Sequence, residues 1–201
     1  MPNIDFAVYT MHTAFWVTFA IGRLVHLLLD RNKPSAPEAD QTSRRELTAR
    51  FSRTLVMVHG LAFMAMYIGL GRAVIPNRVP IWFPGQRLAG AIVIESGAVL
   101  AAWAVATFRS WRVRAKLERS HELMTSGPFR FLRHPIYMGL NMLALGTAIW
   151  VPAPVVWAAV VLMAIGSDLR ARAEERLLDQ AFGLSYREYI KRTRRFIPGV
   201  Y

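Results

Sequence analysis

The stretch GPFRFLRHPIYMGL, residues 127–140, sets two arginines, a histidine and two prolines against the start of an otherwise apolar run. That run extends from Ile136 to Leu169, and VPAP (151–154) divides it into two arms of about 15 residues. Proline interrupts helical hydrogen bonding, so VPAP reads as the turn of a tight helical hairpin. Each arm falls a little short of the roughly 17–25 residues of a full span, so the hairpin spans the membrane or nearly so. With the turn at Ala153, Pro135 lies 18 residues before it and Arg170 lies 17 after it. Two antiparallel arms of nearly equal length return the chain to the depth at which it left. RHP (133–135) and RARAEE (170–175) therefore face each other and form the floor of one site.

Working outward, three further stretches are long and apolar enough to cross a membrane: 6–29, 54–71 and 87–108. Together with the hairpin they predict an all-α integral membrane protein with about five transmembrane helices. No basic residue precedes the first apolar run and no small-residue cleavage site follows it, so the first span is expected to be retained. The polar segment 30–46 reads as a loop, and the whole of 1–201 as one domain, with three membrane helices in 1–108 and a catalytic half in 109–201. After Arg170, Leu177, Leu178, Ala181 and Phe182 share a helical face, Gly183 is a stop signal, and a second short helix is expected from about Ser185. Both are predicted to lie at the membrane interface.

Composition narrows the chemistry. With no cysteine among 201 residues, disulfides, thiolate metal sites and thiol nucleophiles are excluded. No histidine pair has metal-site spacing and no glycine-rich phosphate loop is present, so neither a metal nor a nucleotide phosphate cradle is expected. The formal charge of +12 suits nucleic acid at first sight, but the basic residues are partitioned by topology. Lys and Arg number none in 1–5, six in 30–53, three in 72–87, seven in 109–133, none in 150–154 and eight in 170–201. Positive charge favours the cytoplasmic side of short loops, which puts the N-terminus outside and 30–53, 109–133 and the C-terminus inside. The charge then serves orientation and anionic lipid rather than nucleic acid.

The floor has the makings of a polar pocket beside a lipid-accessible cavity. Thr125, Ser126 and Gly127 offer a turn, Pro128 and Pro135 stiffen the backbone, and Tyr137 brings a hydroxyl to the interface. Glu174 and Glu175 accept from hydroxyl or ammonium groups, and Arg170 presents a planar fork to a carboxylate or phosphate. Blander readings stand beside these. His121 and His134 can cap helix ends, Glu174 and Glu175 can simply favour a helix start, and Arg130, Arg133 and the basic run 191–195 can be interfacial or solvated charge. Glu95, inside the third span, needs a partner or water at that depth; Arg23 and His59 are candidates, and a role lining an acceptor tunnel is the alternative.

The blocks SHELMTSGPFRFLRHPIYMGL (120–140) and RARAEERLLDQAFGLSYREYIKRTRRFIPG (170–199), separated by a membrane hairpin, closely resemble the isoprenylcysteine carboxyl methyltransferase family, integral membrane enzymes related to phospholipid N-methyltransferases. The likeness covers residues 108–199. It implies methyl transfer from S-adenosyl-L-methionine to a lipophilic or lipid-modified acceptor at the cytoplasmic face, in a bacterial inner membrane if the short loops are a guide. The resemblance carries the cofactor pocket onto His121, Glu122, Leu123, Met124, Phe129, His134, Pro135, Ile136, Tyr137 and Glu174, and the acceptor onto Arg170. Phe129 stands where the family often has tyrosine, which leaves packing and no hydroxyl at that position.

An ionised carboxylate acceptor needs no deprotonation, whereas an amine or alcohol needs a base, for which His134 or Glu175 would serve. The expected function is therefore methylation of an isoprenylcysteine-like carboxylate. The alternatives are N-methylation of a phospholipid or other amine lipid, and a non-catalytic membrane binding protein with the same fold. The orientation is directly testable because the chain has no native cysteine. In intact cells, an impermeant maleimide is expected to label a cysteine placed at Asn77 and to spare one at Ser120; the reverse pattern inverts the topology.

Overall fold

In the computed structural model, residues 4–30, 42–107 and 123–199 are described, with the side chains of 23, 26, 27, 29, 30 and 42–55 outside that description. A single 3-10 turn, Ile4–Phe6, leads into α1 (Ala7–Asp30), followed by α2 (Thr42–Val74) and α3 (Gln86–Thr107). A second 3-10 turn, Gly127–Arg130, precedes α4 (Pro135–Trp150), α5 (Pro154–Phe182) and α6 (Leu184–Arg192). Among the described residues the only extended pairing is a parallel bridge between Leu132 and Arg194.

Among the described residues four segments are long and apolar enough to cross a membrane: Ile4–Gly22, Val56–Val74, Gln86–Thr107 and Pro154–Phe182. The fifth expected span, α4, has 16 residues, which at about 1.5 Å per residue makes about 24 Å against a hydrocarbon core of about 30 Å. Prolines set both limits: Pro135 opens α4, and Val151-Pro152 cannot continue it. Nothing in RARAEERLLDQAF breaks a helix, so α5, 29 residues in all, runs unbroken past Arg170 to Phe182, and the first expected interfacial helix is its continuation. The stop comes at Gly183, whose φ of +50° suits a residue without Cβ, and α6 starts immediately after it.

Paired contacts define the directions of the helices. Gly90 meets Gly146 and Gly97 meets Gly139, so α3 and α4 are antiparallel. His59 meets Gly166 and Gly69 meets Val156, so α2 and α5 are antiparallel, while Asp5–Arg87 and Gly22–Val105 make α1 and α3 parallel. Lipid offers little hydrophobic drive for helix association, so close backbone packing at small residues takes over. A Cβ on Gly97 would stand 2.8 Å from the Gly139 carbonyl oxygen, and one on Gly146 2.7 Å from that of Gly90. Phe15, Met66, Ile94, Leu143 and Met163 fill the interior, whereas Leu24, Met57, Val99 and Val161 face outward.

One end of the bundle is closed by a polar clamp. Arg87 donates twice to Asp5, at 2.5 and 2.9 Å, and the Trp150 indole donates to the same carboxylate at 2.9 Å. Buried Gln86 donates to the Pro80 and Trp150 carbonyls and accepts from the Trp82 amide. The opposite end carries the RHP and RARAEE segments. Because the α3–α4 contact leaves no room for a methyl group, Gly97→Ala should lower stability by about 1–3 kcal/mol. Gly60→Ala, at a helical position with nothing within 4 Å, should be neutral or slightly stabilising. Thermal unfolding of both variants in detergent checks this, and equal midpoints would contradict the glycine seam.

Candidate active site

The turn at Gly127–Arg130 and the entry to α4 are pinned by the chain's last described segment. Arg133 N donates to the Arg194 carbonyl at 2.7 Å, His134 N to that of Arg195 at 3.2 Å, and Arg194 N to that of Phe131 at 3.3 Å. This short ladder lays 194–196 beside 131–134, so residues about 60 positions apart share one surface. Phe129 is buried beneath it, and its carbonyl accepts from the Tyr189 hydroxyl at 2.7 Å.

RHP and RARAEE meet as the hairpin geometry requires. Arg133 donates to Glu175 at 2.8 Å and to the Thr193 carbonyl at 2.7 Å. Arg195 donates to both oxygens of Glu175, at 3.1 and 2.6 Å, and to Asp168 at 3.0 Å. Glu175 therefore accepts three charge-assisted hydrogen bonds and has little capacity left to act as a base. Reading 191–195 as solvated or lipid-facing charge fails at Arg195, whose side chain is 14% exposed. Its partners come from another helix, which spacing along the chain does not reveal.

His134 sits between the two glutamates. Its Nδ1 lies 3.5 Å from Glu174 and its Nε2 3.4 Å from Glu175, the latter without the alignment of a hydrogen bond. The Tyr137 ring stacks on the imidazole, and the Tyr137 hydroxyl donates to Glu174. Glu174 keeps 41% of its side chain exposed. Arg170 places its guanidinium carbon 5.3 Å from the centre of the Tyr137 ring, and it forms no ion pair among the described residues. Pro135 is buried at the first turn of α4 and Ile136 is half-buried beside it.

Other predicted residues stand apart. Leu123 and Met124 are half-buried, the Met124 sulfur accepting from Ser126 at 3.4 Å, and no hydrogen bond or ion pair joins them to the cluster. His121 and Glu122 lie outside the described residues. Glu95 is exposed in the same stripe of α3 as Leu88, Ile92, Val99 and Trp103. It has no ion-pair partner among the described residues, and its candidate partner His59 is turned toward Ser167 on α5 instead. Among the described residues no group of three or more His, Asp or Glu side chains could hold a metal ion. Tyr186, expected on the apolar face of the last helix, is fully buried with its hydroxyl unbonded among the described residues, and unforeseen in the sequence was a polar contact of Asn141 with Ser167.

Burial opposes charge on His134, but the carboxylates of Glu174 and Glu175 outweigh it and hold its pKa above the ordinary histidine value. The folded protein thus binds a proton more tightly than the unfolded chain. The resulting stability is fully present below about pH 6.5 and is lost as pH rises through the elevated folded value. Melting temperature should therefore fall across that window in the wild type and vary less in His134→Asn, measured by thermal-shift titration in detergent.

Residues 86–185 match the family model described as phospholipid methyltransferase. A probable protein-S-isoprenylcysteine O-methyltransferase of Oryza sativa subsp. japonica is 33% identical over 128 residues, covering 61% of this chain and 65% of that protein. Protein-S-isoprenylcysteine O-methyltransferase B of Arabidopsis thaliana is 30% identical over 131 residues, covering 60% and 66%. The chain thus spans slightly less than two thirds of these relatives' length. The solved structure of the eukaryotic intramembrane Ras methyltransferase ICMT shares the fold with a TM-score of 0.59 at 20% identity, covering 98% of this chain and 68% of that one. The chain is accordingly a membrane-spanning helical protein that shares its fold with that solved methyltransferase and is similar in sequence to the isoprenylcysteine O-methyltransferases.

Proposed function

We propose that the protein is an S-adenosyl-L-methionine-dependent methyltransferase that methylates the carboxylate of an isoprenylcysteine-like acceptor, from the cytoplasmic face of a bacterial inner membrane. The observation that carries this reading is Arg170. The neighbouring cations Arg133, Arg172 and Arg195 are all engaged with carboxylates. Arg170, half-buried above Tyr137, has no carboxylate partner among the described residues. A planar guanidinium left open at the membrane boundary suits a carboxylate that arrives from lipid. The names of the relatives point the same way.

The residues present fit the cofactor. Glu174, tethered by Tyr137 and part-exposed, can accept from an ammonium group, and the buried His134 Nε2 has no hydrogen-bond partner. His134, Tyr137 and Glu174 would hold it, together with the 121–124 block that the family likeness assigns. When bound, it supplies a methyl group on a sulfonium, already activated for transfer. Arg170 binds and orients the acceptor carboxylate, Tyr137 holds Glu174 in place, and the Arg133–Glu175–Arg195 contact keeps both helices in register. The protein's contribution is thus alignment, which removes much of the entropic part of a barrier.

N-methylation of an amine lipid is favoured by the family description and by the open carboxylate of Glu174. It requires a base, however. Glu175 is saturated by arginines, and His134 is buried between the two glutamates, which raise its pKa. A carboxylate acceptor asks for no base. Purified protein in lipid nanodiscs, given methyl-labelled cofactor and an S-prenylated cysteine, should form base-labile methyl esters; base-stable methylamines on lipid would establish the other reading. Arg170→Lys should lower turnover at least about tenfold, or about 1.4 kcal/mol, with cofactor affinity unchanged. Glu174→Gln should instead cost about 1–3 kcal/mol of cofactor binding by calorimetry. Wild-type turnover in Arg170→Lys would reduce Arg170 to an interfacial anchor.

A further inference from the structure

One helical turn beyond Tyr137 along α4, about 6 Å farther from the membrane boundary, three polar side chains from three helices converge. Ser167 on α5 donates to the side-chain carbonyl of Asn141 on α4 at 3.0 Å. His59 on α2 lies with Nε2 3.4 Å from the same serine oxygen. Ser167 and His59 are buried. Gly166 makes the approach possible, since a Cβ there would stand 2.9 Å from both His59 Cε1 and Nδ1. Polar groups at this depth are costly and ordinarily pair completely.

They do not pair completely here. With its proton on Nε2, His59 donates to Ser167, Ser167 donates to Asn141, and the Asn141 carbonyl is satisfied. Its NH2 group makes no hydrogen bond among the described residues, on a half-buried side chain. The relay therefore fixes which end of the amide is presented. Asn141 follows Tyr137 by four residues and shares its face of α4; Ser167 precedes Arg170 by three and shares its face of α5. The amide NH2 of Asn141, without an acceptor among the described residues, and the guanidinium of Arg170, which contacts Tyr137 but forms no ion pair among them, thus stand on facing helices and in successive layers. One ionised carboxyl group has lone pairs enough for both.

We infer that Asn141 is an acceptor-binding residue, its amide NH2 donating to the carboxylate that Arg170 holds, with Ser167 and His59 as the residues that position it. The inference rests on carboxylate methylation as the activity. A carboxylate at this depth needs neutral as well as charged donors, and an amide supplies them without adding a charge inside the bilayer.

The test uses the full chain in nanodiscs with an S-prenylated cysteine as acceptor and the corresponding S-prenylated cysteamine, which lacks the carboxylate, as competitor. Asn141→Asp keeps the shape and replaces the donors with an oxygen. KM for the carboxylate acceptor should rise at least tenfold, the inhibition constant of the amine competitor should stay equal or fall, and cofactor affinity should stay within twofold. Ser167→Ala, which releases the amide from its orientation, should raise KM severalfold in the same direction. If Asn141→Asp does not fold, Asn141→Leu gives the same KM readout. Unchanged KM in a folded variant overturns the inference, as does equal weakening of the acid and the amine, which marks a packing defect. A wild-type protein that forms no methyl ester at all overturns the methylation reading, and this inference falls with it.

Discussion

Glu175 is gripped from two sides, by Arg133 ahead of α4 and by Arg195 beyond α6, and this contact closes the second half of the chain on itself. Three segments that are remote in sequence meet at one carboxylate whose side chain is only 12% exposed. Losing the carboxylate would leave Arg133 without its ion-pair partner in a poorly hydrated place, which costs several kcal/mol in comparable buried pairs. The contact also decides what its neighbours can do. Glu175 is saturated whereas Glu174 stays part-exposed, and because 194–196 is laid beside 131–134, His134 is covered and held between the two acids.

The two ends of the bundle solve the same problem with opposite results. At one end Asp5, Arg87, Trp150 and Gln86 use their hydrogen-bonding groups on one another, and farther in His12 bonds both Tyr67 and Thr147. Such closed networks hold helices together and offer little to a ligand. At the other end Arg170 forms no ion pair among the described residues and the Asn141 amide NH2 no hydrogen bond, although both lie where incompletely paired polar groups are expensive. The proposed binding of an acceptor carboxylate would complete this network.

The short α4 gives this opening its place. Glycine contacts lock α4 against α3, and prolines limit its length, so it cannot adjust by sliding or growing. The longer α5 continues out of the apolar layer and carries Arg170, Glu174 and Glu175 on successive turns. The three side chains are therefore arranged in depth along one helix.

The sequence by itself determined that the chain is helical and membrane-spanning, that Gly183 ends a helix, and that RHP and RARAEE face each other. These follow from local rules: apolar length, the missing N–H of proline, the positive φ open to glycine, and the equal rise of two antiparallel arms. Only the tertiary structure decided that Arg195 belongs to Glu175, that Glu95 lies on an outward face, that His59 turns to Ser167, and that the Asn141 amide is left open. The physical reason is that a helix in lipid is apolar on its outer as well as its inner face. Periodicity then separates the faces poorly, and the partner of a polar side chain is chosen by which helices touch.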